Sequence, residues 1–158
     1  MKTENNNVMM DEEYNLADAE EIINKYLTFI SADLVYGIPI ENVVEIITSP
    51  SITALPMVPP YVLGVINLRG QIVPIIDIRQ IMDKPANENN SILCVIILEI
   101  DSISIGVLVD TVLQVINMPN KISAPPSKNN LSFINGMTNL NDGSVMYSLD
   151  CDLLISNK

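Results

Sequence analysis

A chain of 158 residues, 48% of them apolar, is long enough for one ordinary domain or for two small ones that share a core. Eight basic against nineteen acidic residues leave a net charge of −11, which repels phosphate backbones and argues against nucleic-acid partners. With no histidine and only two cysteines, Cys94 and Cys151, the commonest general base and a tetrahedral zinc site are both missing.

Met1 to Leu16 is rich in Asn, Asp and Glu without a sustained period and reads as a mobile tail, part of an acidic head covering residues 1–24. A short helical turn is expected over Asp18 to Asn24. Strands follow at Tyr26 to Ile30 and Leu34 to Ile40, separated by a turn at Ser31 to Asp33; Glu41 to Ile47 continues apolar. Ser49 to Ser51 marks a loop, Ile52 to Leu55 a brief extended piece, and Pro56, Pro59 and Pro60 a stiff connection. Val62 to Asp77 is a β-hairpin with its tip at Asn67-Leu68-Arg69-Gly70. Asn67 suits the first position of a type I turn and Gly70 a left-handed residue, so a three-residue loop with a bulge is expected. Pro74 has no N–H and belongs at a sheet edge or a bulge.

Ile78 to Met82 reads as one or two helical turns and Asp83 to Asn90, with Pro85 and three asparagines, as a linker. Strands are expected at Ser91 to Glu99, Ile103 to Val109 and Val112 to Met118. A Pro-rich surface loop covers Pro119 to Asn130, strands follow at Phe133 to Thr138 and Val145 to Leu149, and a terminal helix spans Cys151 to Ser156. Many short strands with turn punctuation indicate an all-β barrel or sandwich with short helices. Lacking a signal peptide or a membrane-length apolar run, the chain is expected in the cytoplasm with its thiols free.

The chain repeats itself. Advancing by 69 residues places Leu34, Gly37, Glu41 and Val43 on Ile103, Gly106, Asp110 and Val112. At offsets of 72 and 73, Gly64, Asn67 and Leu68 fall on Gly136, Asn139 and Leu140, and Gly70 and Asp77 on Gly143 and Asp150. Two similar barrels should therefore pack face to face through the apolar runs Ile72 to Ile76 and Ile92 to Leu98. The copies differ at the tip: Arg69 and Pro74 of the first have no counterpart in the second, where Asn141-Asp142 stands. Arginine occurs only at positions 69 and 79, and a lone arginine at a hairpin tip is a candidate contact residue, because its planar fork holds carboxylates and carbonyls.

No constellation for catalysis emerges. Glu41, Glu45 and Asp77 could form a carboxylate pair of the kind hydrolases use, but Glu41 and Asp77 have acidic counterparts in the second copy, which favours a structural role such as capping. No metal ligand set and no cofactor motif is present, and no phosphate-binding loop follows Gly64 or Gly70.

The segments Val43-Val44-Glu45-Ile46, Gly64-Val65-Ile66-Asn67-Leu68-Arg69-Gly70, Pro74-Ile75-Ile76-Asp77 and Gly106-Val107-Leu108-Val109-Asp110 resemble the CheW adaptor domain of bacterial chemotaxis. The likeness runs over roughly Lys25 to Ile155, and the Asn-Leu-Arg-Gly tip followed by Pro and Asp is its specific part. It implies two intertwined SH3-like β-barrels, a first over about residues 31–84 and a second over about 91–150 to which the N-terminal strand contributes, closed by the helix at 151–156. It also implies a non-enzymatic adaptor that couples methyl-accepting chemoreceptors to the regulatory domain of the histidine kinase CheA, at receptor arrays on the inner face of the membrane without inserting into it. Carried onto this chain, the receptor-facing residues are Val43, Glu45, Ile66, Leu68 and Arg69, with Asn67, Gly70 and Pro74 shaping the turn and Asp77 a structural acid. The other readings are an adaptor of a chemosensory-type pathway with a non-motility output and, remotely, a carboxylate hydrolase.

Overall fold

The computed structural model describes residues 24–81, 93–118 and 133–156. The expected tail, the helical turn up to residue 23, the linker at 83–90 and the loop at 119–130 lie outside the described residues. The elements run β1 (Asn24–Ser31), β2 (Leu34–Pro39), a 3-10 turn (Ile40–Asn42), β3 (Val43–Thr48), β4 (Val62–Leu68), β5 (Gln71–Asp77) and α1 (Ile78–Ile81). The second series is β6 (Cys94–Ile100), β7 (Ile103–Val109), β8 (Thr111–Met118), β9 (Ile134–Asn139), β10 (Val145–Leu149) and α2 (Cys151–Ser156).

Two five-stranded sheets result, in the orders β8-β1-β2-β10-β9 and β3-β6-β7-β5-β4. Replacing each strand by its partner in the sequence repeat turns one order into the other. Registers agree residue by residue: Thr28 faces Gly37 as Ile97 faces Gly106, and Ser148 faces Gly37 across a parallel ladder as Ile75 faces Gly106. The expected barrel boundaries are therefore corrected. Each sheet combines the first two strands of one repeat with the last three of the other, and the chain crosses between sheets at residues 40–42 and again at Asp110. A hairpin of one repeat offers two strands, too few for an independent sheet, and the exchange completes both sheets.

Strand alternation divides the apolar residues into three groups. Leu27, Phe29, Tyr36 and Ile38 of one sheet meet Ile96, Leu98, Ile105 and Val107 of the other in the principal core. Val73, Ile75, Val95 and Ile97 fill the inside of the second sheet with Ile66 and Leu108, while Tyr26, Met118 and Met146 fill the first. The runs expected to join the barrels thus split by parity, and Ile72 at the start of one run is 61% exposed.

The glycines shared by the repeats are needed for packing. A Cβ on Gly37 would stand 2.5 Å from Met146 Sδ, and one on Gly106 would stand 2.3 Å from Ile75 Cδ1 and 2.8 Å from Val95 Cγ1. Acids at repeat-equivalent positions begin both helices. Asp77 Oδ1 accepts the Arg79 N–H at 3.0 Å, and Asp150 Oδ1 accepts the Leu153 N–H at 3.3 Å.

Candidate binding site

The β4–β5 hairpin is tighter than expected. Leu68 pairs with Gln71, which leaves a two-residue loop, Arg69-Gly70, with φ of 54° and 83°. Positive φ at both positions is the primed turn whose twist suits adjoining strands, in place of the expected type I turn with a bulge. Asn67 Oδ1 accepts the Gly70 N–H at 2.9 Å and fixes the tip. A glycine or asparagine relieves this conformation at the first loop position; an arginine there costs about 1 kcal/mol of backbone strain. Local turn chemistry does not select Arg69.

Pro74 lies within β5, an interior strand, and not at a sheet edge. Its partner across the hairpin is Val65, whose N–H and C=O are both used by Thr53, at 2.9 and 2.8 Å. Val65 and Pro74 therefore form a non-hydrogen-bonded pair, and the β5–β7 ladder begins only at Ile75, so the missing N–H is not needed. The Thr53 bridge also covers the outer edge of β4. A Cβ on Gly64, whose φ is 151°, would stand 2.1 Å from the Thr53 carbonyl oxygen.

Arg69 Nη1 stands 2.9 Å from Glu45 Oε1, with side-chain exposures of 74% and 28%. That carboxylate oxygen is itself buried and lacks an aligned hydrogen-bond donor, so the guanidinium compensates it by charge. Glu45 lies on β3 and Arg69 at the end of β4, the two opposite edges of one sheet. The pair spans the seam where this sheet curls into a barrel.

The remaining expected contacts divide. Leu68 is half-buried against the barrel interior, and Ile66, 5% exposed, belongs to that interior and presents no surface. Val43 packs against the principal core. A register shift between Val43 and Glu45 explains why two residues of equal parity diverge: Val43 pairs with Leu98 of the principal core and Glu45 with Ile97 of the barrel interior. The exposed apolar side chains of β3 are Val44 and Ile46; Ile46, paired with Ile96 of the principal core, lies on the opposite face of the strand from Glu45. Alternation along this strand was the available signal: Val43, Glu45 and Ile47 are the less exposed residues and Val44, Ile46 and Thr48 the exposed ones. In the second barrel, Leu113 and Val115 are exposed at the equivalent positions of β8.

Burial pushes the Cys151 thiol up to about 12, so it stays protonated at neutral pH, and Cys94 is a half-buried free thiol. No group of three potential metal ligands occurs among the described residues. None of the described helices is long and apolar enough to cross a membrane. What the geometry provides is an exposed, ion-paired arginine at the seam of a barrel, with exposed apolar side chains on the strand that carries its partner, the attributes of a protein-binding module.

The chain belongs to the CheW-like domain family, which it matches over residues 25–158. It is 41% identical over 73 residues to a chemotaxis protein CheW of Helicobacter pylori, covering 46% of this chain and 44% of that one. Similarity to the chemotaxis protein CheW of Bacillus subtilis is 34% over 94 residues, 60% of each chain, and to protein FrzA of Myxococcus xanthus 29% over 102 residues, 65% and 64% of the two chains. These matches span from under half to just under two thirds of the curated relatives. The fold superposes on the scaffolding protein CheW of Thermoanaerobacter tengcongensis with a TM-score of 0.75 at 30% identity, covering 82% of this chain and 90% of that structure.

Proposed function

We propose that this chain is a non-enzymatic adaptor that couples methyl-accepting chemoreceptors to the histidine kinase CheA at receptor arrays on the inner face of the membrane. The observation that carries the reading is the Arg69 corner: an arginine kept in a strained turn, paired with Glu45 and present in only one of two otherwise equivalent barrels. Membership of the CheW-like family supports the partner class. Glu45, Leu68 and Arg69 form the receptor-facing surface, while Val43 and Ile66 act from beneath it by fixing β3 and β4. Asn67, Gly70 and Pro74 shape the hairpin and Asp77 caps α1. Separate faces for receptor and kinase let one chain hold both, and avidity then arises from effective concentration within the array.

Capture of receptor cytoplasmic fragments and CheA by the purified chain tests the proposal. Arg69→Glu brings two carboxylates together at the seam and is expected to lower receptor capture at least ~10-fold, a difference of about 1.4 kcal/mol, with the far-UV spectrum unchanged. Undiminished capture removes Arg69 from the receptor surface. The similarity to protein FrzA, a relative that does not carry the chemotaxis name, supports a second reading in which a chemosensory-type circuit has a non-motility output. The kinase and receptors that co-purify with the chain from its native cytoplasm distinguish the two.

A further inference from the structure

Three residues of the first repeat stand out against their counterparts in the second. Arg69 belongs to the corner described above. Arg79, 5% exposed, donates from Nε and Nη2 to the two oxygens of Asp77, at 2.9 Å each, and from Nη1 to Asp110 Oδ1 at 3.1 Å, which locks the crossover at Asp110 from inside. Its twin by the repeat offset is Asp152, exposed in a cleft that also holds Glu41 of the other crossover. The third is Met57, and no packing among the described residues accounts for it.

Pro56 and Met57 form the corner of a turn in the segment that joins β3 to β4, and Met57 is held at φ of 59° with its side chain fully exposed. Glycine and asparagine fill this left-handed region with little strain, whereas a methionine gains nothing from it. Among the described non-glycine residues at positive φ, only Met57 and Arg69 carry long side chains. Leu55, Pro56 and Pro59 are exposed beside it, and no charged residue occurs between Glu45 and Arg69, so the turn carries none of the chain's acidic charge. At the offset of 72, Leu55-Pro56-Met57-Val58 falls on Ser127-Lys128-Asn129-Asn130, a polar stretch in place of an apolar one.

The turn is held at both ends. Thr53 exchanges both backbone hydrogen bonds with Val65, the Pro59 carbonyl accepts the Val62 N–H at 2.9 Å, and Ile52 packs against the barrel interior. In passing through the turn the chain therefore moves from the middle of β4 to its first residue, whereas Arg69 follows the far end. The strand is about 20 Å long, so the turn is not part of the Arg69 corner. A segment fixed in this way loses little freedom on binding, and a thioether adapts to an apolar or aromatic-lined pocket.

We propose that this turn is a prong whose Met57 side chain enters an apolar pocket of a partner protein. Under the adaptor reading, on which this assignment rests, the receptor takes the Arg69 corner at one end of β4, and the pocket met at the other end belongs to CheA.

Capture of purified CheA and of a receptor cytoplasmic fragment by the full-length chain tests the assignment, with Met57→Gly and Met57→Leu as variants. Met57→Gly relieves the turn and should raise the melting temperature by ~3 °C, so a loss of binding is not a loss of fold. It is expected to lower CheA capture at least ~5-fold and to leave receptor capture unchanged. Met57→Leu keeps an apolar side chain of similar volume and should stay within ~2-fold of the parent. CheA capture undiminished in Met57→Gly, or receptor capture that falls in its place, overturns the assignment alone. A parent chain that captures neither protein overturns the adaptor reading and the assignment with it.

Discussion

Among the described residues, an ion pair spans the seam of one barrel and none spans that of the other. Across the first seam Arg69 meets Glu45; across the second, Gln114 stands where Glu45 does, Asp142 stands at the hairpin tip, and a groove of about 360 Å3 separates β8 from the β9–β10 tip. Asp142 is engaged locally, accepting hydrogen bonds from the Ser144 N–H and hydroxyl, which hold its carboxyl below the usual carboxylate range. Strand order, register, bulge and helix caps are common to both halves, so they are what the fold requires. Charged residues found in one half only are the ones that require another explanation. By that test Arg69 and Arg79 stand apart, one exposed at a seam and the other buried at a crossover.

The largest expected effect separates the two crossovers. Arg79→Met leaves Asp77 and Asp110 close together without their cation, and breaking a buried ion pair from one side costs roughly 3–5 kcal/mol. Asp152→Met, at the exposed twin position, should stay within about 0.5 kcal/mol of the parent. Urea denaturation of both variants measures the contrast. An equal loss in both variants would show that the crossovers do not differ in kind.

The paired glycines give a smaller contrast. Gly106→Ala pushes a methyl against Ile75 and Val95, branched side chains in the packed interior of one barrel, and should cost about 1–3 kcal/mol. Gly37→Ala meets the thioether of Met146, which has rotatable bonds with which to yield, and should cost less than about 1 kcal/mol. Equal costs would mean that the two interiors are equally rigid.

Much of this fold was legible because β-branched runs and turn residues carry their own local information, and because the repeat supplied an internal control. The strands from Tyr26 to Leu149 and both helices fall close to where pattern places them. The exchange of strands between repeats was not legible from local pattern: an apolar run such as Ile92 to Leu98 records that it is buried, not which sheet buries it. The inward turn of Val43 and Ile66 was hidden for a similar reason: each stands in an apolar run, and such a run does not show which face of its strand is covered. The Arg79 trio escaped notice because its partners are 2 and 31 residues away and only the fold brings the second into reach.

The smallest contrast concerns the hairpin turns that join β1 to β2 and β6 to β7. Both are two-residue loops with positive φ at each position, 50° and 64° at Ala32 and Asp33, and 50° and 67° at Asp101 and Ser102. None of the four residues is glycine. Alanine gains no local hydrogen bond from a left-handed conformation, whereas aspartate tolerates it better through its short polar side chain. Ala32→Gly is therefore expected to raise stability by about 0.5–1 kcal/mol, since the relief of strain exceeds the added freedom of the unfolded chain. Asp101→Gly, at the matching position, should gain less than half of that. The Ala32 N–H keeps its bond to Asp110 in the glycine variant, so the Arg79 lock is undisturbed. A gain at Ala32 that depends on Arg79 in a double-mutant cycle would instead show that turn strain and the crossover lock are coupled.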